Sequence, residues 1–192
     1  MHVLFVCTGN ICRSPLAERL TTAFAAELGT DELTAGSAGT GALVGHGMDP
    51  DAARALADLG GDDEGFRARA FTPALADAAD LVLTLERGHR SLVLERAPRA
   101  LRRTFTLREA AAVLALLRPD ELPTATAVHE RGTQLVAALA RRRNAWRGSS
   151  GATDIADPYR RPADVHRQVA SEIAGALLPL LQEVGGLRVA PH

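Results

Sequence analysis

Only two cysteines, Cys7 and Cys12, occur in the 192 residues. They are too few and too close together to staple a secreted fold, and a structural zinc site usually asks for four Cys or His ligands. Cysteine in this chain therefore points to chemistry, with no metal and no cofactor expected. Also missing is any run near the ~18 consecutive apolar residues that a membrane span requires. The N-terminus shows no basic stretch followed by an apolar run and a small-residue cleavage site, so the expectation is a cytoplasmic protein. An excess of one charge is missing as well. The formal net charge is -1, which offers no electrostatic reason for nucleic acid or an anionic membrane as partner. What remains, 46% hydrophobic and 23% charged residues, is the balance of a globular chain whose length fits a single domain over 1–192.

The apolar run His2 to Val6 predicts a buried opening strand. After it comes the loop Cys7-Thr8-Gly9-Asn10-Ile11-Cys12-Arg13-Ser14. Ser14-Pro15 reads as an N-cap with proline at the first helical position, and Leu16, Leu20, Phe24 and Leu28 recur every four residues until Gly29. A second strand is expected over Leu33 to Ala38, and Asp49-Pro50 repeats the cap-then-proline signal before a helix closed by Gly60-Gly61. Asp80 to Leu85 predicts a third strand, the stretch with Leu92 and Leu94 a helix, and Arg103 to Leu107 a fourth strand. The expected fold is α/β: three layers, α/β/α, around a central four-stranded parallel sheet, with a phosphate loop after the first strand.

A helical insertion is expected at about 108–150, with Val113, Leu116 and Leu117 forming one apolar patch and Val128, Leu135, Val136 and Leu139 another. Gly148 to Gly151 reads as a surface loop and Val189 to His192 as a frayed tail. Val165, Val169, Ile173 and Leu177 mark a last amphipathic helix that Pro179 should kink or shorten. The Arg99 to Arg103 and Arg141 to Arg147 segments read as solvated helix faces rather than as docking sites.

The first loop carries the chemistry. A loop between a strand and a helix N-terminus can wrap backbone N–H groups around an anion, and the helix behind it places ~+0.5 charge there. Thr8, Gly9, Asn10, Ile11 and Cys12 supply that backbone, with Gly9 permitting tight curvature. The same field favours the thiolate of Cys7, the candidate nucleophile. Arg13 presents a planar fork matched to two phosphate oxygens, and Ser14 can donate to the Cys7 sulfur as well as cap the helix. A nucleotide-binding loop of the Walker kind is excluded by the missing Gly-Lys-Ser/Thr ending. The run Gly36 to Gly41 has the wrong spacing for a dinucleotide loop.

With that loop at its start, the chain resembles the low-molecular-weight protein tyrosine phosphatases. The likeness extends to Ser37-Ala38-Gly39-Thr40, to Asp80 through Thr84, and to Asp157-Pro158-Tyr159. It implies hydrolysis of phosphotyrosine in proteins, and of small aryl phosphates, through a phosphocysteine intermediate. It further implies Asp157 as general acid, with Asp154 its nearest rival, and Tyr159 at the entrance stacking on the substrate ring. Asn10 and Ser37 would brace the loop. The partner implied is a tyrosine-phosphorylated protein, met by a monomer or weak dimer. The chain departs from the family pattern at Phe66, where many relatives carry histidine, and at Leu43-Val44, where they carry an aromatic wall. Cys12 lies close enough to Cys7 for oxidation to join them.

Three rivals follow. An arsenate reductase of the same fold is disfavoured because no cysteine follows Cys12 to relay a disulfide. A protein arginine phosphatase would carry threonine where Ile11 stands. A silent phosphoprotein-binding module would need neither a nucleophile nor an acid.

Overall fold

The opening strand, β1 (His2–Cys7), is buried along almost its whole length because it lies between two layers of helices. Val3, Phe5 and Cys7 face one layer, and Leu4 and Val6 face the other. This is a computed structural model describing residues 1–146 and 153–187. The glycine-serine loop and the tail anticipated from composition lie outside the described residues.

β2 (Thr34–Gly39) and β3 (Leu81–Thr84) flank β1, and β4 (Thr104–Thr106) pairs with β3, giving the order β2-β1-β3-β4 with every pairing parallel. Helices α1 (Arg13–Leu28), α2 (Pro50–Asp58), α5 (Leu107–Leu114), α6 (Val128–Arg142) and α7 (Ala163–Gly185) cover one face, where Leu16, Leu56, Val113, Leu135 and Ile173 join one core. On the other face, α3 (Pro73–Ala78) and α4 (Arg87–Arg96) bury Ala76 and Val93 against Leu4, Val6 and Val82. The chain passes from β2 back across β1 to β3, so the order reverses at the β1/β3 boundary. In open α/β sheets, the crevice beyond the strand ends at such a point is where ligands bind.

The terminators read from sequence hold. Gly29 ends α1 in the left-handed conformation at φ 69°, and the Asp49 carboxylate accepts from the N–H groups of Asp51 (3.0 Å) and Ala52 (3.3 Å) at the start of α2.

Several expectations change. Helix α3 has no counterpart in the sequence pattern, its six residues being too short for a periodic signal. The α5 patch is smaller than expected, since the helix ends at Leu114 and leaves Leu116 exposed. α7 is not shortened but runs through Pro179. Both Pro179 and Gly175, whose carbonyl loses its helical donor, face solvent, while Leu177, Leu180, Leu181 and Val184 stay buried on the other side. Of the arginine-rich segments, Arg99 and Arg102 are exposed as expected and Arg147 lies outside the described residues, but Arg142 and Arg143 are not merely solvated. The Arg143 guanidinium lies 4.2 Å from the Phe105 ring centroid and its Nε donates to Glu109 (2.7 Å), while Arg142 Nε donates to Glu121 (2.8 Å). No helix among the described residues is long and apolar enough to cross a membrane.

Candidate active site

β1 delivers Cys7 to the carboxyl edge of the sheet, and the chain turns through residues 8–12 directly into α1. Cys7, Thr8, Gly9, Ile11, Cys12 and Arg13 line one cleft there, joined from elsewhere by Gly41, Leu43, Asp157 and Tyr159. None of the lining residues comes from the 108–146 segment. Residues about 150 positions apart in sequence thus meet at the switch point of the sheet.

Ser14 is not the helix cap. Cys12 occupies that position without a side-chain bond, and Ser14 stands inside α1. Its hydroxyl is committed elsewhere, because Asn10 Nδ2 donates to Ser14 Oγ (2.9 Å) and Ser14 Oγ lies 2.9 Å from Cys7 Sγ. Accepting from Asn10 leaves the Ser14 proton for the sulfur. Asn10 Nδ2 also donates to Ser37 Oγ (2.7 Å), Ser37 in turn donates to Glu18, and Asn10 Oδ1 accepts from the Arg69 N–H (2.8 Å). Asn10 and Ser14 therefore act from behind the loop and do not line the cleft, while Ser37 anchors them to β2.

The left-handed residue of the loop is Asn10, at φ 54°, not Gly9. The glycine that close approach requires is Gly39, where a Cβ would come within 2.4 Å of the Thr8 carbonyl oxygen. Asn10→Ala should lower the unfolding free energy by ~2–4 kcal/mol, since it strands buried partners and puts alanine at positive φ. Urea denaturation checks this, and a change below ~1 kcal/mol would contradict the bracing role.

Arg13 is 2% exposed, so its charge must be paired. Its Nη1 donates to Glu86 and to the Ile155 carbonyl (2.9 Å), and Nη2 sits 3.1 Å from Asp157 Oδ2. Asp157 is half exposed at the cleft mouth, and its Oδ1 accepts from the Tyr159 N–H (3.3 Å) across the Asp-Pro turn. Asp154, the rival carboxylate, is occupied structurally. Its Oδ1 accepts from the Arg87 N–H (2.8 Å) and the Thr153 hydroxyl (3.1 Å). Burial raises its pKa, but these hydrogen bonds and the Arg87 charge outweigh that and hold it below the usual carboxylate value.

Two residues near the cleft escaped the sequence reading. Glu86 follows β3 and holds Arg13. His89, on the first turn of α4, places Nε2 2.8 Å from Thr8 Oγ1, and burial pushes its pKa below the ordinary imidazole value. The only sequence signal was their place just past a strand at the switch point. Cys7 and Cys12 are free, buried thiols. Burial first, then the Asp49 charge, pushes the Cys12 thiol well above its ordinary value.

Comparison with known proteins matches residues 2–118 to a family model described as "Low molecular weight phosphotyrosine protein phosphatase". Low molecular weight protein-tyrosine-phosphatase Wzb of Escherichia coli (strain K12) is 44% identical over 97 residues, 50% of this chain and 63% of that protein. The matched stretch thus spans less than two thirds of this curated relative. Among solved structures, Low Molecular Weight Protein Tyrosine Phosphatase from T. tengcongensis superposes with TM-score 0.70 at 28% identity, covering 95% of this chain and 98% of that one. YwlE arginine phosphatase from Geobacillus stearothermophilus superposes with TM-score 0.68 at 25% identity, covering 100% and 99% respectively.

Proposed function

We propose that this chain, which belongs to the low molecular weight phosphotyrosine protein phosphatase family, hydrolyses phosphotyrosine in proteins and small aryl phosphates through a phosphocysteine intermediate. One observation carries the reading: a cysteine sulfur, a buried guanidinium and a half-exposed carboxylate line a single cleft at the N-terminus of α1.

The chemistry runs in two steps. In the first, the Cys7 thiolate attacks phosphorus as the bond to the tyrosyl oxygen breaks, and Asp157 gives its proton to that oxygen. Arg13 turns its fork to two equatorial phosphate oxygens, while Glu86 and the Ile155 carbonyl keep the guanidinium aimed into the cleft. The loop N–H groups of Thr8 to Cys12 complete the anion cradle. In the second step, Asp157 takes a proton from water, the water oxygen attacks phosphorus, and the P–S bond breaks. The Ser14 hydroxyl stabilises the departing thiolate. The net result is tyrosine plus inorganic phosphate. Thr8, Gly9 and Ile11 form the walls, and Tyr159 stacks on the substrate ring at the mouth. The protein acts as a monomer or weak dimer in the cytoplasm, where two unpaired thiols suit a reducing compartment.

A protein arginine phosphatase is the second reading, favoured by the likeness to the arginine phosphatase structure above. The apolar Ile11 in the cleft wall weighs against it, since it offers a guanidino-phosphate no hydrogen-bonding group. Release of phosphate from a phosphotyrosyl and a phosphoarginyl peptide, compared in EDTA, decides between them. The expectation is a kcat/KM at least ~10²-fold higher for the phosphotyrosyl peptide. A preference for phosphoarginine would overturn the tyrosine reading, and a need for added metal would overturn the mechanism.

A further inference from the structure

The side chains of Cys12, Asp49 and His166 converge at the starts of α1, α2 and α7, with donor atoms all within 4.8 Å of one another. Asp49 Oδ1 lies 3.7 Å from His166 Nδ1. Tetrahedral zinc, with bonds of ~2.0–2.3 Å, sets neighbouring ligand atoms roughly 3.3–3.6 Å apart, so small side-chain rotations close the set. His166 supplies an independent observation. It is 2% exposed, and its Nδ1 is buried with no hydrogen-bond partner among the described residues. An orphaned nitrogen of this kind costs stability unless something fills the space in front of it. Asp49 Oδ1 accepts from the N–H groups of Asp51 and Ala52 at the start of α2, which fixes the carboxylate facing His166.

We propose that Cys12, Asp49 and His166 form a binding site for one zinc ion. Thiolate, carboxylate and imidazole are the ligand types borderline-soft zinc selects. On binding, the Cys12 thiol gives its proton to solvent, and the dication with thiolate, carboxylate and neutral imidazole sums to zero charge, which suits a buried site. Water fills the fourth position through the Asp49 side, whose side chain is 18% exposed. The metal ties the cap residue of α1 to α2 and α7, and so braces the loop that carries Cys7 and Arg13. The proposal is independent of the phosphatase reading, because hydrolysis through Cys7 needs no metal and the test below reads no turnover.

The test uses the full, reduced, chelator-stripped protein titrated with cobalt(II) as a spectroscopic stand-in, then with zinc. The expected result is one cobalt per chain with a thiolate-to-cobalt charge-transfer band, retained in Cys7→Ser and abolished in Cys12→Ala. In His166→Phe the affinity should fall more than ~100-fold, beyond what loss of an outer-shell partner costs. Zinc at 100 times its Kd should raise the Tm by ~5–10 °C. Absence of the sulfur band would overturn the site. So would a band that vanishes in Cys7→Ser but survives in Cys12→Ala, or cobalt affinity in His166→Phe equal to the parent's. Should circular dichroism show His166→Phe misfolded, Asp49→Asn carries the same reading, and unchanged affinity there overturns it.

Discussion

Cys7→Ser should abolish turnover, with kcat for p-nitrophenyl phosphate falling at least ~10⁴-fold. A serine hydroxyl in the same place has no base beside it. The side chain that meets residue 7 is Ser14, with Oγ 2.9 Å from the Cys7 sulfur, and a neutral hydroxyl is too weak a base to take a proton from serine. The field of a helix N-terminus cannot ionise an alcohol to a useful extent. Because Arg13 and the loop N–H groups survive the change, inorganic phosphate should still bind within about tenfold of the parent affinity by titration calorimetry. The pairing of lost turnover with retained anion binding is the informative result. Turnover within ~10-fold of the parent would remove Cys7 from the mechanism, and loss of both would indicate a collapsed loop instead.

The second large effect belongs to Asp157→Ala, and it should depend on the leaving group. A tyrosyl oxygen needs a proton as it departs, whereas p-nitrophenolate leaves readily as an anion. The kcat for a phosphotyrosyl peptide should therefore drop ~10²–10⁴-fold, and that for p-nitrophenyl phosphate far less in the first step. KM should fall or stay constant, because the substitution removes a carboxylate 3.1 Å from Arg13 Nη2 that competes with the phosphate for the guanidinium. Asp154→Ala is the control. That carboxylate is tied to Arg87 and Thr153, so its loss should cost stability without altering the leaving-group dependence. Equal losses for both substrates in Asp157→Ala, or the leaving-group signature appearing in Asp154→Ala, would reassign the acid.

The parts legible in the sequence were those with a local cause. Asp49 before Pro50, Gly29 after Leu28 and the apolar run of β1 each act on their own neighbours, and the structure repeats them within a residue or two. Ser14 shows where such reasoning fails. Its position before proline is a sound cap signal, but a hydroxyl satisfies one network at a time, and Asn10 with Cys7 supplied the stronger one. The arginine clusters fail for a related reason. Whether Arg143 is solvated depends on Phe105 and Glu109, which only tertiary packing brings to it.

By itself, the sequence determined a parallel α/β sheet, a strand-loop-helix start and the candidate residues for phosphoryl chemistry, since periodicity, caps and motif spacing are short-range properties of a chain. Only the tertiary structure decided that Glu86 and Asp157 would share Arg13, that His89 would back Thr8, and that Asp49 and His166 would close around Cys12. Those meetings depend on the order of β1 and β3 and on where α7 returns across the sheet. The hydrophobic burial of whole layers sets these positions, and no local stretch encodes them.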